Sequence, residues 1–473
     1  MPKTLYVTTA IPYVNGTPHV GHALDYLLAD VYVRYQKQQG KTVRFQAGTD
    51  EHGNKIWSKT KELGIPVEEY VKTNSDKFRE FIKSLGVKPT DFIRTSDPDH
   101  ERRVQEIWKK LKDHIYPANY EGWYCSGCES FITKKEYDEH GGVCPDHQKP
   151  YEFISEKNYY LRISDFKNEI EKAIKDGKLE ILPETRKKQI LNLLKDSPDV
   201  SISRPRKSLS WGVPVPDDES QVMYVWLDAL SNYLTVLGYP EKDISEFWPA
   251  DVQIVGKDIL RFHAIIWPAM LLALNLPLPK IILSHGYVMV NGQKMSKSIG
   301  NVVNPLDILN KYGLDAFRYY FLRHIDTFSD SDFTWEKFEA AYSGELANDL
   351  GNLVQRLAVL ASKNSVKLPS NLSDIIKPAD SEYSELMDNF EYSKAFDYVW
   401  TKIQQINKDI NELQPWAVAK TEPEKAVAIL VDLIISLLSA TNLLKPFLPE
   451  TCEKIKNVFG ETITIPEPLF PKN

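Results

Sequence analysis

Leu5-Tyr6-Val7-Thr8-Thr9-Ala10-Ile11, followed by Thr17-Pro18-His19-Val20-Gly21-His22, decides how the first half of the chain is read. The first run is short and rich in β-formers. From Val20 the apolar residues fall at Val20, Leu24, Leu27, Leu28, Val31 and Tyr35, the spacing of one buried helix face. Thr42 to Ala47 is β-rich again. Strand, helix and strand of these lengths form a βαβ unit and predict a parallel sheet. Thr17 suits an N-cap and Pro18 the first helical position, so the helix is expected to begin there. Its N–H groups and positive dipole end would then lie beyond the C-terminal edge of a parallel strand, where doubly wound sheets bind ligands. His19 and His22, three apart, share a face, and Gly21 leaves the backbone open to a nucleotide. Two imidazoles at such a helix end can donate hydrogen bonds to phosphate oxygens as charge develops on them. A bare His-x-Gly-His string also fits two unrelated histidines, so it does not settle the function by itself.

Outward from this unit, further strands are expected at Val252 to Val255 and Lys280 to Leu283, with a helix around Leu260 to Ala273. Tyr287-Val288-Met289-Val290-Asn291-Gly292 predicts a tight hairpin, because Asn-Gly sits between β-favouring residues. Lys294-Met295-Ser296-Lys297-Ser298 follows it, with Gly300 and Asn301 behind. Two lysines and two serines can cover a triphosphate and neutralise a departing pyrophosphate. A lone K-x-x-K pair would be an ordinary solvated loop.

The two signatures together, in this order, resemble those of the class I aminoacyl-tRNA synthetases, and most closely those of the methionyl-tRNA synthetases. The resemblance runs over nearly the whole chain. It covers Ile11-Pro12-Tyr13-Val14-Asn15-Gly16, Gly48-Thr49-Asp50-Glu51-His52-Gly53 and Tyr224-Val225-Trp226-Leu227-Asp228-Ala229. It continues through Gly256-Lys257-Asp258-Ile259 to Phe262-His263, and through His285-Gly286-Tyr287-Val288. Val20 stands where the family more often has Ile or Leu, a conservative change on the apolar side of the helix. The cysteinyl enzyme is the nearest compact alternative, but its metal binds the substrate thiol, whereas the cysteines here cluster apart. Residues 116–218 leave no room for the long editing insertions of the isoleucyl, valyl and leucyl enzymes.

The resemblance implies an α/β fold: a Rossmann-type parallel-sheet catalytic domain with a zinc-knuckle connective insertion, followed by an all-α helix bundle that binds the anticodon. The expected divisions are 1–115 and 219–283 for the sheet domain, 116–218 for the insertion, 284–335 for the lysine-loop region and 336–473 for the bundle. The implied activity is activation of L-methionine by ATP and its transfer to tRNA(Met). His19, His22, Lys294 and Lys297 are the implied catalytic residues. Gly21, Gly256, Asp258, Lys294, Ser296 and Lys297 are the implied ATP contacts, with Mg2+ accompanying the nucleotide. Ile11, Tyr13, Asp50, Trp226, Ala229, Tyr233, Ile259 and His263 are implied to line the methionine pocket. From chemistry alone, Asp50 can pair with an ammonium group, and Tyr13, Trp226, Tyr233, Phe262 and Trp267 offer the aromatic surface a thioether favours. Ordinary core packing is the alternative for Phe262 and Trp267.

Cys125-x2-Cys128-x15-Cys144-x2-His147 has the spacing of a tetrahedral Cys3His zinc site. Four protein ligands would close the site, which makes one zinc structural. His140 competes as the fourth ligand but lacks the paired spacing, and a knuckle held by hydrogen bonds after loss of metal is the other reading. Cys452 is isolated and expected as a buried thiol. Four cysteines in 473 residues exclude a disulfide framework.

From about residue 336 the pattern is helical, with Leu386, Phe390, Phe396, Val399, Ile403, Ile406, Ile410 and Leu413 on one face and a stop at Pro415. In the family, residues at the Asn-x3-Arg and Pro-Trp positions read the anticodon, which here are Asn352, Arg356 and Trp416. Without the resemblance, Trp416 reads as a core tryptophan. The stretch from Ala426 to Leu444 is apolar but carries Asp432, so it is expected as a buried bundle helix and not as a membrane span.

The N-terminus lacks the apolar core of a signal peptide, and the expectation is a soluble cytoplasmic protein. Many bacterial relatives continue into a dimerising OB-type domain, so a monomer is expected where the sequence stops after Ile465-Pro466. The net charge of −7, from 58 Lys and Arg against 65 Asp and Glu, argues naively against a nucleic-acid partner. Residues 1–50 nevertheless hold five basic against three acidic residues, and residues 251–300 five against two. Local placement, more than total charge, sets the partner.

Overall fold

The computed structural model describes residues 4–471 apart from 127, 129, 147 and 296–302. It resolves into two compact units, one formed by residues 1–18, 41–83 and 88–285, the other by 19–40, 84–87 and 286–473.

The first unit is built on a six-stranded parallel sheet. Its strands lie in the order Asp91–Arg94, Val43–Thr49, Leu5–Thr9, Val252–Gly256, Ile281–His285, Glu180–Leu182. Chain order runs one way from Leu5–Thr9 and the other way from Val252–Gly256, so the sheet reverses between these two neighbours. Such a switch point opens a crevice at the carboxyl ends of the strands. The strands are short apolar runs buried on both faces, as parallel sheets require. Residues 116–218 are not wholly an insertion: Glu180–Leu182 returns to the central sheet as an edge strand. This strand has three residues and no alternation, which is why the pattern concealed it. The rest of that stretch holds an antiparallel sheet in which Ile115–Cys125 pairs with Glu152–Leu161 over ten positions.

The second unit contains the Val20–Gln38 helix, the lysine hairpin and the helical half. All six apolar positions read for the first helix are buried. Its Asp30 pairs with the fully buried Arg318 at 2.7 Å, and Arg318 donates to the carbonyls of Phe447 and Pro446 at 2.6 and 3.0 Å. Removing one partner of such a buried pair costs about 3–5 kcal/mol. Val288–Val290 and Gln293–Lys294 form the expected hairpin, with Asn291 and Gly292 both at positive φ. Val288–Val290 also pairs in parallel with Ser331–Phe333. Gly286 is required there, since a Cβ on it would meet the Ser329 carbonyl oxygen at 2.2 Å.

In the helical half, Tyr392–Leu413 buries Phe396, Val399, Ile403, Ile406 and Ile410, while Leu413 at its end is 46% exposed. Pro423–Leu444 is the one helix among the described residues long and apolar enough to cross a membrane; half of it is buried, and Asp432 is exposed on its outer side. Cys452 is buried, with its thiol on the Thr441 carbonyl.

Candidate functional site

The histidine signature does not begin its helix where the sequence suggested. Thr17 and Pro18 lie outside the helix, which starts at Val20 with His19 as N-cap in extended conformation. The histidines themselves do the capping, which overrides the Thr-Pro signal. Gly21 N–H donates to His19 Nδ1 at 3.1 Å, and His19 N–H donates to His22 Nδ1 at 3.2 Å. The rings stack with centroids 3.8 Å apart. With both Nδ1 atoms accepting, the neutral rings carry their proton on Nε2, the donor a phosphate oxygen needs. Gly21 has a local reason as well: a Cβ there would meet His19 Cε1 at 2.9 Å and displace the ring. The Met295 methyl lies 3.7 Å from the same point, so this side chain of the lysine signature comes beside the histidine helix. The side chain of Lys294, and Ser296 and Lys297 entirely, lie outside the described residues.

In the sheet unit the residues assigned to methionine gather around the helix Val225–Thr235 and the turn that follows Val252–Gly256. Trp226 stacks on Phe262 with centroids 3.7 Å apart and meets His263 edge-on. The Tyr233 hydroxyl lies 2.8 Å from His263 Nε2, and His263 Nδ1 lies 3.0 Å from the Ile259 carbonyl. A carbonyl can only accept, so Nδ1 carries the proton and Nε2 accepts from Tyr233. Tyr233, His263, Ala229 and Asp50 are almost fully buried. The Phe262–Ile266 segment is a π-helix entering Trp267–Ala273, a rare conformation that recurs at functional sites. Pro268, lacking an N–H, contributes to the broken α pattern there. Trp267 proves to be core: it is fully buried, with its indole N–H on Gln253.

Asp50 and Tyr13 face each other in an isolated parallel bridge just beyond the strand ends. Gly48, two residues before Asp50, permits the close approach of Ile93 and Ile11, since a Cβ on it would meet the Ile93 carbonyl at 2.4 Å and the Ile11 side chain at 3.0 Å. At Gly256 a Cβ would lie 2.8 Å from Oδ1 of the exposed Asp258, so the carboxylate of Asp258 turns back over this glycine.

The neighbouring residues of the Asp50 loop had no role in the sequence reading. Glu51 is fully buried, bonded twice to Arg94 at 2.8 Å and also to Ser96. His52 Nδ1 lies 2.7 Å from Asp228 Oδ2, and His100 Nε2 lies 2.8 Å from Asp228 Oδ1. Burial would discharge His52, but the Asp228 carboxylate outweighs it, with help from Glu101, and holds the imidazole pKa up at about 10. Burial would likewise raise Asp228, yet His52 and His100 together hold it down at about 2. The signal was present: both His52 and Asp228 stand inside quoted motifs as titratable side chains without an assigned partner.

Cys125, Cys128 and Cys144 bring their sulfurs within 4.8 Å of one another, and Cys128 and Cys144 stand 3.6 Å apart. Tetrahedral zinc, at about 2.3 Å from each sulfur, needs sulfur–sulfur separations of about 3.8 Å. The three thiols therefore fit a metal ion. Burial and the adjoining sulfurs push the Cys128 thiol well above its usual range, a condition that a cation relieves. His147 lies outside the described residues, and His140 Nδ1 is 2.7 Å from the Tyr151 hydroxyl.

In the helical unit Asn352, Arg356 and Trp416 line one open cavity of about 360 Å³ with Gln355, Val359 and Leu360. The Arg356 guanidinium lies 4.7 Å over the Trp416 ring and donates to Asn411 at 2.7 Å. Gln414 adopts a left-handed turn between two helices, and Pro415 starts the short second one, so Trp416 is turned outward at 37% exposure. That exposure argues against the core-tryptophan reading. Gln355, Val359 and Leu360 were missed although they follow Asn352 at helical spacing.

Two family models match the chain. That of the class I tRNA synthetases (M) covers residues 5–153 and 146–358, and that of the anticodon binding domain of methionyl tRNA ligase covers 361–469. The methionine–tRNA ligase of Clostridium acetobutylicum is 41% identical over 473 residues, spanning 96% of this chain and 73% of that protein. The enzyme of the same name from Caldanaerobacter subterraneus subsp. tengcongensis is 38% identical over 480 residues, spanning 98% and 75%. Among solved structures, Mycobacterium tuberculosis methionyl-tRNA synthetase in complex with methionyl-adenylate matches with a TM-score of 0.91 at 33% identity, covering 99% of this chain and 100% of that one. With the histidine helix, the hairpin, the aromatic cluster and the helical cavity described, the chain belongs to the class I methionyl-tRNA synthetases.

Proposed function

We infer that this chain performs the methionine–tRNA ligase reaction with the residues described above. The carboxylate of L-methionine attacks the α-phosphate of ATP in line, giving methionyl-adenylate and pyrophosphate. The methionyl group then passes to the 3′-terminal ribose of tRNA(Met). The first step needs no general base, because a carboxylate is already ionised at neutral pH. His19 and His22 donate from Nε2 to the α-phosphate as negative charge builds on it. Lys294 and Lys297 hold the β- and γ-phosphates, with Ser296 between them. Gly21, Gly256 and Asp258 contact the nucleotide, and Mg2+ enters as its counterion.

Asp50 receives the methionine ammonium group. Ile11, Tyr13, Trp226, Ala229, Tyr233, Ile259 and His263 enclose the side chain. The Tyr233–His263 bond supports this role: it fixes a buried polar pair beside the stacked Trp226 and Phe262 rings, surroundings suited to a thioether, which accepts hydrogen bonds weakly. Asn352, Arg356 and Trp416 read an unstacked anticodon base by hydrogen bonds and stacking. One Zn2+ at Cys125, Cys128, Cys144 and His147 would tie two turns of the knuckle together, a structural role. We assign residues 1–115 and 219–283, with the strand Glu180–Leu182, to the sheet domain, the rest of 116–218 to the connective segment, 284–335 to the lysine-loop region and 336–473 to the anticodon-binding bundle. We place the enzyme in the cytoplasm.

The observation that carries this reading is the pairing of a phosphate-suited histidine cap with the hairpin of the lysine signature in one unit. Charging of tRNA(Met) transcripts tests it: methionine should be esterified to the wild-type anticodon and poorly to a transcript with altered anticodon bases. Equal charging of both would remove the helical cavity from the reading. Elemental analysis should find about one zinc per chain.

A further inference from the structure

Around the pocket, the loop carrying Asp50 and the helix carrying Trp226, Ala229 and Tyr233 come from points 176 residues apart in the chain, the separation of His52 and Asp228. They meet through buried polar contacts. Gln46 donates to Asn232 at 2.8 Å, and beyond it His52 and His100 both bond to the carboxylate of Asp228. His100 stands on the helix Pro98–Leu111, and its other nitrogen lies 2.7 Å from the Thr235 hydroxyl. Glu101 on the same helix reaches His52 Nε2 at 3.4 Å, and Trp211 packs its ring edgewise on the imidazole. The Trp211 indole N–H donates to the Glu51 carbonyl, and the Gly53 N–H donates to the Trp211 carbonyl. The loop is thus held on both sides of His52.

His52, His100 and Asp228 are each at most 2% exposed. Three ionisable groups buried together are expensive to desolvate, and a hydrophobic trio would pack this volume at lower cost. Their position gives the arrangement a use. Asp228 lies one turn before Asn232, between Trp226 and Ala229, and His52 is two residues past Asp50. A shift of either element by an ångström would move the ammonium-binding carboxylate away from the aromatic wall.

We propose that His52, Asp228 and His100 form a buried hydrogen-bonded clamp that positions the methionine pocket, holding the Asp50 loop against the Val225–Thr235 helix. None of the three touches substrate; they are positioning residues. The clamp rests on the methionine pocket assigned above. It acts on the amino-acid half of the site, so its loss falls on methionine and spares the nucleotide.

The test is Asp228→Asn in the full-length enzyme, with KM for methionine, KM for ATP and kcat measured by ATP–pyrophosphate exchange and the active fraction fixed by active-site titration. Misplacement of about an ångström predicts that KM for methionine rises at least about tenfold while KM for ATP stays within about twofold. Glu101→Gln provides a milder perturbation, at a side chain 36% exposed and 3.4 Å from His52 Nε2. It is expected to raise KM for methionine about threefold. A clamp with only a structural role would lower the active fraction and leave both KM values of the remaining enzyme unchanged, and that result overturns the proposal. Unchanged KM for methionine in Glu101→Gln, where Asp228→Asn does not fold, overturns it too. Asp50→Asn measured in parallel separates the two levels. If it leaves KM for methionine unchanged, the pocket assignment fails and the clamp with it. If it raises that KM while the clamp variants do not, the clamp alone fails.

Discussion

Tyr233 and His263 in the sheet unit are 1% and 2% exposed and bonded to each other, whereas Trp416 in the helical unit is 37% exposed and lies under the guanidinium of Arg356. The first pocket is assembled from residues far apart in sequence and fixed by buried ion pairs. The second has a wall of one helix face, residues 352–360, and a ring turned out by a kink at Gln414. On the assignment proposed above, the contrast follows from what each would hold. A small amino acid offers few contacts, so its discrimination depends on desolvated polar groups already in position. A nucleic-acid base brings a large flat surface and its own charge, and stacking on an exposed aromatic suffices. Damage to the first should therefore appear in methionine activation, and damage to the second in tRNA charging alone.

The largest effect is expected at the histidine cap. His22→Ala removes both the proposed phosphate donor and the acceptor of the His19 backbone N–H, and exchange kcat should fall by about 10²–10³. A loss below tenfold would mean that the cap is structural. Trp416→Ala should cost about 1–3 kcal/mol of stacking, which is about 5–150-fold in kcat/KM for tRNA charging. Exchange should remain within about twofold of wild type; if both reactions fall together, the contrast between the two pockets collapses. Tyr233→Phe leaves His263 Nε2 without its donor, and at about 0.5–1.5 kcal/mol per hydrogen bond, KM for methionine should rise about 2–12-fold. No change would place the Tyr233–His263 pair outside the pocket.

The smallest effect at neutral pH is on stability. The pKa of His52 rises on folding from 6.5 to about 10, so its contribution is complete below pH 6.5 and lost as pH climbs through about 10. Asp228 has the opposite sign: lowered from 3.8 to about 2, it contributes above pH 3.8 and loses its contribution as pH falls through about 2. Thermal melts should thus show Tm declining from pH 7 to pH 10, and His52→Gln should flatten that slope. A slope unaltered by the substitution would assign the alkaline loss to other groups.

Much of this was legible before the structure. The spacing from Val20 to Tyr35 located a buried helix face, and Asn291-Gly292 located the hairpin, because local sequence dictates both. Asn352 and Arg356, four apart on one helix face, line one cavity with Trp416, which only the family resemblance had joined to them. Three things were hidden for physical reasons. The strand Glu180–Leu182 is too short to carry a pattern and depends on its pairing with Ile281–His285. The helix start moved from Thr17 to His19 because side-chain hydrogen bonds within the motif outcompete the ordinary cap. The ion pairs of His52 with Asp228, and of Asp30 with Arg318, join residues 176 and 288 apart, and no local window contains both members. The apolar helix Pro423–Leu444 was read as part of a bundle from Asp432, whose carboxylate does emerge on the exposed side.

The central claim is that this pocket activates methionine on ATP. ATP–pyrophosphate exchange with purified enzyme and Mg2+, run with L-methionine and in parallel with L-cysteine, tests it most directly. The account predicts exchange that saturates with methionine and stays at background with cysteine; no exchange with methionine, or equal exchange with both, would contradict it.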